Sequence, residues 1–344
     1  MNTQILLFHL SLVFAVLMAP ASSPAQNRDP FPTDSAAVCW WNTIEQLSDS
    51  GWTEGKTVSP FYPDYLSFYR LPVNEKQVTY SIRNLRKAGF RLFMQQWNPD
   101  DPKATVLVGH GYMDHTGMHG RLIAFLLERG YRVVTWDLPG HGLSDGPRGA
   151  IDSFSVYSQL FEKVVGEVKT SSPGPVHFIG HSTACLIAFN YLTKAMADPF
   201  DSVVFVAPLA RHFLWEPGVF GHAVLKKTGI SRLPRMVMNV SGDEAFNNLL
   251  RIDPLNSGWV PVSWPAALYK WENHRPVEPV SHRQVLILTG THDTVVDADW
   301  NRVYYQQVFP AVKIEIIPGG RHHLLNEESK IRDIVYSVLE GVFP

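Results

Sequence analysis

The run Gly180-His181-Ser182-Thr183-Ala184 stands between an apolar stretch, Val176-His177-Phe178-Ile179, and a helix-like one over residues 185–195. A buried strand that turns at once into a helix needs small residues at the corner, because the two elements nearly touch there. It also holds the residue at the tip in a strained conformation, with its hydroxyl projecting into a cleft. This is the setting of a G-x-S-x-G nucleophile turn, with Ala184 in place of the last glycine and so one added methyl group. Ser182 is the candidate nucleophile, and the chain must build a sheet whose strands end at a common edge.

The rest of the pattern is of that kind. Strands are predicted over residues 77–84 and 90–96, joined by Lys87-Ala88-Gly89, and over 104–108, 131–136, 202–206, 284–289 and 312–317. Helix-like segments fall at 122–129, 156–169, 183–195 and 331–339. Alternating strands and helices specify an α/β fold, a mostly parallel sheet with helices on both faces. With 344 residues and 45% hydrophobic content the chain can bury one large core. A net charge of −2 with no strong basic block argues against nucleic acid as a partner.

Two later strands end in polar loops. Residues 284–289 run into Gly290-Thr291-His292-Asp293, and residues 312–317 into Pro318-Gly319-Gly320-Arg321-His322-His323. Open parallel sheets gather their chemistry at such strand ends. The order Ser182, Asp293, His322 is that of an α/β-hydrolase triad, with the base after the last strand. His323 competes with His322. Asp297 and Asp299 compete with Asp293 but stand further on, at an expected helix start. Acyl transfer also needs two backbone N–H groups aimed at the developing oxyanion. The residue after the nucleophile, Thr183, and the loop His110-Gly111-Tyr112 after the early strand are the candidates, with Tyr112 the second donor.

His110-Gly111-Tyr112-Met113-Asp114-His115, the stretch from Asp137 to Gly146, Gly180-His181-Ser182 and Arg321-His322-His323-Leu324-Leu325-Asn326-Glu327 together resemble the monoacylglycerol lipase and bacterial lysophospholipase group of α/β-hydrolases. The last motif, with Asp253-Pro254-Leu255, Trp264 and Trp271, leans towards the lysophospholipase L2 side. The resemblance spans roughly residues 75–344. It implies hydrolysis of a single acyl ester on a glycerol-type lipid and needs no cofactor. Tyr112-Met113 depart from the family, which often has a small residue and glycine there.

Outside these motifs, residues 1–25 read as a signal peptide, apolar over 5–18 with small-residue cleavage patterns near Ala21 and Ala25. Export to the periplasm or medium is expected, an uncleaved membrane anchor being the rival. Residues 26–74 form an extension rich in proline and aromatics, expected to pack on the catalytic domain at 75–344. Cys39 and Cys185 are the only cysteines, and their spacing does not demand a bridge. Residues 208–282 read as an inserted helical lid for an acyl chain, with Phe213, Leu214 and Trp215 as candidate substrate contacts. Lys226, Lys227, Arg232 and Arg235 of that insertion suit either a phosphate or membrane surface, touched transiently through the lid, or a solvated face.

Other functions share parts of this pattern. A metal hydrolase would use His110, Asp114, His115 and His119, but Tyr112 breaks the close histidine pair such sites need, and no metal is expected. A general carboxylesterase would share the triad. A catalytically silent binding protein on the same fold is opposed by intact Ser182, Asp293 and His322.

Overall fold

In the computed structural model, which describes residues 35–49, 51–58, 61–72, 77–172, 174–194, 198–281 and 283–343, the chain reaches its sheet through two short helices. These helices, α1 (Ser35–Glu45) and α2 (Phe61–Tyr69), carry the aromatic residues of the extension into the core. Trp40, Phe61, Tyr65 and Tyr69 are buried. Phe61 stacks on Tyr65 at 4.8 Å and meets Phe93 edge-on at 5.9 Å. Burying rings of this size against the sheet is what fixes an otherwise irregular segment. The expected leader at residues 1–25 lies outside the described residues.

The strands are β1 (Thr53–Glu54), β2 (Val78–Lys87), β3 (Phe90–Pro99), β4 (Thr105–Gly109), β5 (Arg132–Trp136), β6 (Val176–His181), β7 (Ser202–Val206), β8 (Arg232–Pro234), β9 (Trp259–Pro261), β10 (Leu286–Gly290) and β11 (Lys313–Ile317). Nine of them form one sheet in the order β1-β2-β3-β5-β4-β6-β7-β10-β11, while β8 and β9 pair separately. β2 and β3 form an antiparallel hairpin turned by Ala88 and Gly89, both at positive φ (51° and 81°). Such a primed turn matches the twist of the strands it joins. The pairs from β5 to β11 across the sheet are parallel. After β4 the chain adds β5 on one side and then β6 on the other. The crevice between the carboxyl ends of β4 and β6 is therefore a topological switch point, where open α/β sheets bind ligands.

The helices that follow are α3 (Gly120–Glu128), α4 (Phe154–Ser171), α5 (Thr183–Leu192), α6 (Trp215–Thr228), α7 (Glu244–Ile252), α8 (Ser263–Glu272), α9 (Ala298–Val308) and α10 (Ser329–Glu340). Two buried apolar clusters result, one containing Val106, Val133 and Leu288, the other Leu107, Val134 and Ile287. Neighbouring residues of each strand thus serve opposite clusters, as strand alternation requires. The insertion differs from the expected all-helical lid. It holds α6, α7 and α8, but also the β8–β9 ribbon, whose strands are too short to show a period in the sequence. β6 runs through His181, so the sheet delivers Ser182 directly to the turn. Cys39 and Cys185 are free thiols, the first exposed and the second buried. Among the described residues no helix is long and apolar enough to cross a membrane.

Candidate active site

Ser182 lies between β6 and α5 with φ 52° and ψ −109°, a conformation that L-residues avoid at a cost of about 1–3 kcal/mol. Its neighbours hold it there. The Ser182 N–H donates to Val206 O at 2.9 Å, and Leu209 and Cys185 donate to its carbonyl at 3.2 and 3.1 Å. Glycines provide the room. A Cβ on Gly109 would stand 2.7 Å from Ala184 Cβ, so the space that a final glycine would leave comes instead from β4. A Cβ on Gly111 would lie 3.1 Å from Ser182 Cβ, which places the loop after β4 directly against the nucleophile.

Asp293 and His322 meet across the ends of β10 and β11, with Asp293 Oδ2 2.8 Å from His322 Nδ1. The other carboxylate oxygen accepts the Val295 and Val296 N–H groups at 2.8 and 3.1 Å. Burial pushes the Asp293 carboxyl up, but His322 and these N–H groups outweigh it and hold the pKa below the ordinary value. An ionised Asp293 keeps the proton of His322 on Nδ1, which leaves Nε2 to act as a base. Ser182 and His322 line the same cavity. The competing residues have other partners, although His323 borders the same cavity. Asp297 caps α9 by accepting the Trp300 N–H at 3.0 Å. His323 turns to Asp114 instead, its Nε2 3.3 Å from Oδ2.

Thr183 is the first residue of α5, where the helix's own bonding leaves the N–H unpaired. Tyr112 is held by its side chain, stacked on Trp264 at 3.8 Å with its hydroxyl donating to Gly149 O at 2.9 Å. Both residues line the cavity beside Ser182. Met113 adopts φ 55°, the left-handed conformation that a glycine would take freely. His110 fastens this loop to the next one, its Nδ1 2.7 Å from Gly111 O and its Nε2 accepting the Leu138 N–H at 2.8 Å. The Asp137 motif is a structural brace. Its carboxylate accepts the N–H groups of Thr116 and Leu143 at 2.9 and 2.8 Å.

Of the four residues that a metal hydrolase would use, His110 and His115 turn away from the others. His110 clamps its loop, and His115 bonds Asp253 at 3.0 Å, where Tyr69 of α2 also donates at 2.7 Å. Asp114 and His119 stay together and are joined by His323. Asp114 Oδ2 lies 3.0 Å from His119 Nε2 and 3.6 Å from His181 Nδ1. The Asn326 amide, which donates to Met118 O at 2.8 Å, also approaches His323 Nδ1 at 3.2 Å. That donor leaves the His323 proton on Nε2, where it bonds Asp114, so the atom offers no free lone pair to a metal. The arrangement fits a hydrogen-bonded cluster. Burial would raise the Asp114 carboxyl, yet the surrounding histidines hold it well below its usual value. His181, whose Nε2 is 3.2 Å from the His322 carbonyl, is pushed down to about 3 by burial and then by His323.

The cavity measures about 330 Å³ and its walls are mainly apolar, including Leu209, Met236, Met238, Leu250, Trp264 and Val296. Phe213, Leu214 and Trp215 do not line it, which corrects the expectation from sequence. The Phe213 N–H bonds Val295 O at 2.9 Å, Leu214 precedes α6 at φ 55°, and Trp215 packs edge-on against Tyr269 at 4.9 Å. Their apolar character serves the base of the insertion. Leu250 of α7 and the Val295-Val296 loop after β10 take the place expected of them. No periodicity marks those positions as cavity walls, because they converge from separate elements.

The sheet, the strained serine and the paired Asp293 and His322 define a serine hydrolase of the α/β-hydrolase fold. A family model described as "Serine aminopeptidase, S33" matches residues 100–329, and the chain belongs to that family. The chain is 26% identical over 261 residues to a "Monoglyceride lipase homolog" of Monkeypox virus, covering 72% of this chain and 92% of the relative. It is 25% identical over 250 residues to "Monoacylglycerol lipase" of Mycolicibacterium smegmatis, covering 70% and 88%. A solved soluble variant of monoglyceride lipase from Saccharomyces cerevisiae, in complex with a substrate analog, shares the fold with a TM-score of 0.66 at 20% identity, over 79% of this chain and 96% of that one. The chain is an ester hydrolase of the monoacylglycerol lipase type.

Proposed function

We propose that the protein hydrolyses the acyl ester of a single-chain glycerolipid, a monoacylglycerol or lysophospholipid, through an acyl-enzyme intermediate. The observation that carries this reading is the strained Ser182 and the Asp293–His322 pair opening onto one mainly apolar cavity. His322 Nε2 takes the Ser182 proton as Oγ attacks the ester carbonyl. The N–H groups of Tyr112 and Thr183 receive the oxyanion, and His322 then protonates the departing glycerol oxygen. Water, deprotonated by the same imidazole, releases the fatty acid in the second half.

The names of the relatives support a lipid ester as substrate. An acyl chain leaving water for these walls contributes about 0.8 kcal/mol per buried CH₂. Part of that energy is realised only in the transition state, so kcat as well as kcat/KM should rise with chain length before levelling off. The test compares monoolein, triolein and p-nitrophenyl esters of increasing length. Preference for monoolein over triolein and for long over acetyl esters is expected. Equal turnover of triolein, or preference for acetate, would replace this reading with a general carboxylesterase. Transient contact of the insertion with a membrane surface and export across a membrane belong to the same proposal. Fractionation of cells expressing the full chain tests the latter.

A further inference from the structure

The basic residues of the insertion fall into separate environments. Lys226 and Lys227 are exposed on the last turn of α6. Arg232 lies over the Trp259 ring at 4.5 Å. Arg235 alone enters the catalytic cavity, where it is the one lysine or arginine among the described lining residues. Its backbone is fixed by the ribbon: Pro234 pairs with Trp259, and the Arg235 N–H donates to Gly258 O at 2.8 Å. The segment carrying it forms the rim, since Met236 and Val237, which follow, are exposed.

Among the described residues the Arg235 guanidinium forms no ion pair or side-chain hydrogen bond. The carboxylates whose charge reaches it are already engaged. Asp114 is bound by His119 and His323, and Asp253 by His115, Tyr69 and the Leu255 N–H. Burial meanwhile lowers the Arg235 pKa from its usual value. A half-buried guanidinium without a counter-ion carries a desolvation cost that a bound anion would relieve. The planar fork of arginine suits the paired oxygens of a phosphate.

We propose that Arg235 is a specificity-determining residue that binds a phosphate on the substrate's glycerol, so that the preferred single-chain lipid carries a phosphorylated head group. The inference rests on the lipid-ester reading above and deepens it. The acyl chain would lie along the apolar walls, the ester at Ser182, and the head group at the rim under Arg235.

The test measures kcat/KM for 1-oleoyl-lysophosphatidylglycerol and for monoolein in the wild type, Arg235→Gln and Arg235→Lys. The wild type should favour the lysophospholipid. In Arg235→Gln the ratio of the two kcat/KM values should fall about 10- to 100-fold, the range for losing a charge-assisted bond, with partial recovery in Arg235→Lys. A second readout is inhibition of p-nitrophenyl butyrate hydrolysis by a non-hydrolysable ether, 1-O-hexadecyl-glycerophosphate, set against 1-O-hexadecylglycerol. Arg235→Gln should raise Ki for the phosphate ether by a similar factor and shift the neutral ether far less. Inhibition by inorganic phosphate as strong as by the phosphate ether would assign the site to the free ion and overturn the proposal. An unchanged ratio in Arg235→Gln, with monoolein still cleaved, would overturn the head-group assignment alone. If wild type cleaves neither lipid but turns over short esters, the lipid reading fails and takes this inference with it.

Discussion

Ser182 shows how a single residue can be costly to hold and necessary to the chemistry. Its positive φ is sustained by hydrogen bonds with Val206 of β7, Leu209 and Cys185, and by the room left at Gly109 of β4 and Gly111 just after it, so removing the hydroxyl should leave the fold intact. Ser182→Ala should lower kcat roughly a million-fold, as in other serine triads, with unchanged thermal unfolding. The two adjacent histidines should separate cleanly. His322→Ala removes the base that Asp293 orients, and turnover should fall by a comparable factor. His323→Ala removes a donor to buried Asp114 and should cost about 1–3 kcal/mol of stability. The variant that remains folded should keep most of its turnover. Loss of activity confined to His323→Ala would move the base by one position.

At the scale of elements, a helix and a loop share the acidic residues after β10. Asp293 holds His322, while Asp297 accepts the Trp300 N–H and closes the start of α9. Asp297→Ala should lower stability by about 1 kcal/mol in denaturant melts and leave kcat within about twofold. A collapse of kcat without loss of fold would transfer the acid's role to Asp297. The insertion poses a similar question about the cavity walls. Met236 and Met238 lie on the segment after β8, and Leu250 lies on α7. Substituting Met238 and Leu250 by serine should flatten the rise of kcat/KM with acyl length, because each CH₂ would lose its apolar partner. The same substitutions at Phe213 and Leu214 should leave the slope in place, since neither lines the cavity. Chain-length series on both double variants decide the matter.

Across the whole molecule, buried imidazoles set a pH dependence of folding. Burial brings His181 and His141 down to about 3. Unfolding returns each to about 6.5. The unfolded chain then binds the extra protons, so their contribution is complete above about pH 6.5 and is lost as pH falls from there towards 3. Asp293, Asp114 and Asp253, all held below the ordinary carboxylate value, add a further loss at the acidic end of that window. His115 works the other way. Burial lowers its pKa, but Asp253 outweighs that and raises it, so its contribution is present at low pH and fades as pH rises through the raised value. His110 and His323, which burial also lowers, act in the same direction as this pair, so the neutral imidazoles together dominate between pH 6.5 and 5, at up to about 1.4 kcal/mol per pH unit for each group. Denaturant midpoints should fall clearly from pH 7 to pH 5. A flat profile would mean that His181 and His141 are not held neutral in the folded state.

The sequence by itself determined the sheet and the order of its chemistry. Strand periodicity and punctuating turns are local properties, so Ser182, Asp293 and His322 could be assigned to strand ends without coordinates. The same holds for Asp297, whose capping role follows from its place before a helix. What the tertiary structure decided was convergence. Gly109 compensates for Ala184 because β4 and β6 are neighbours, a relation that no local pattern contains. Asp114 gathers His119 from its own segment, His181 from the end of β6 and His323 from the loop after β11, and Tyr69 of the extension reaches Asp253 of the insertion across 184 positions. The cavity walls came from α7, the segment after β8 and the loop after β10, while the most apolar run of the insertion was spent on packing its base. Which apolar residues face a ligand depends on where whole elements dock, because burial in a core and burial in a cavity wall impose the same composition.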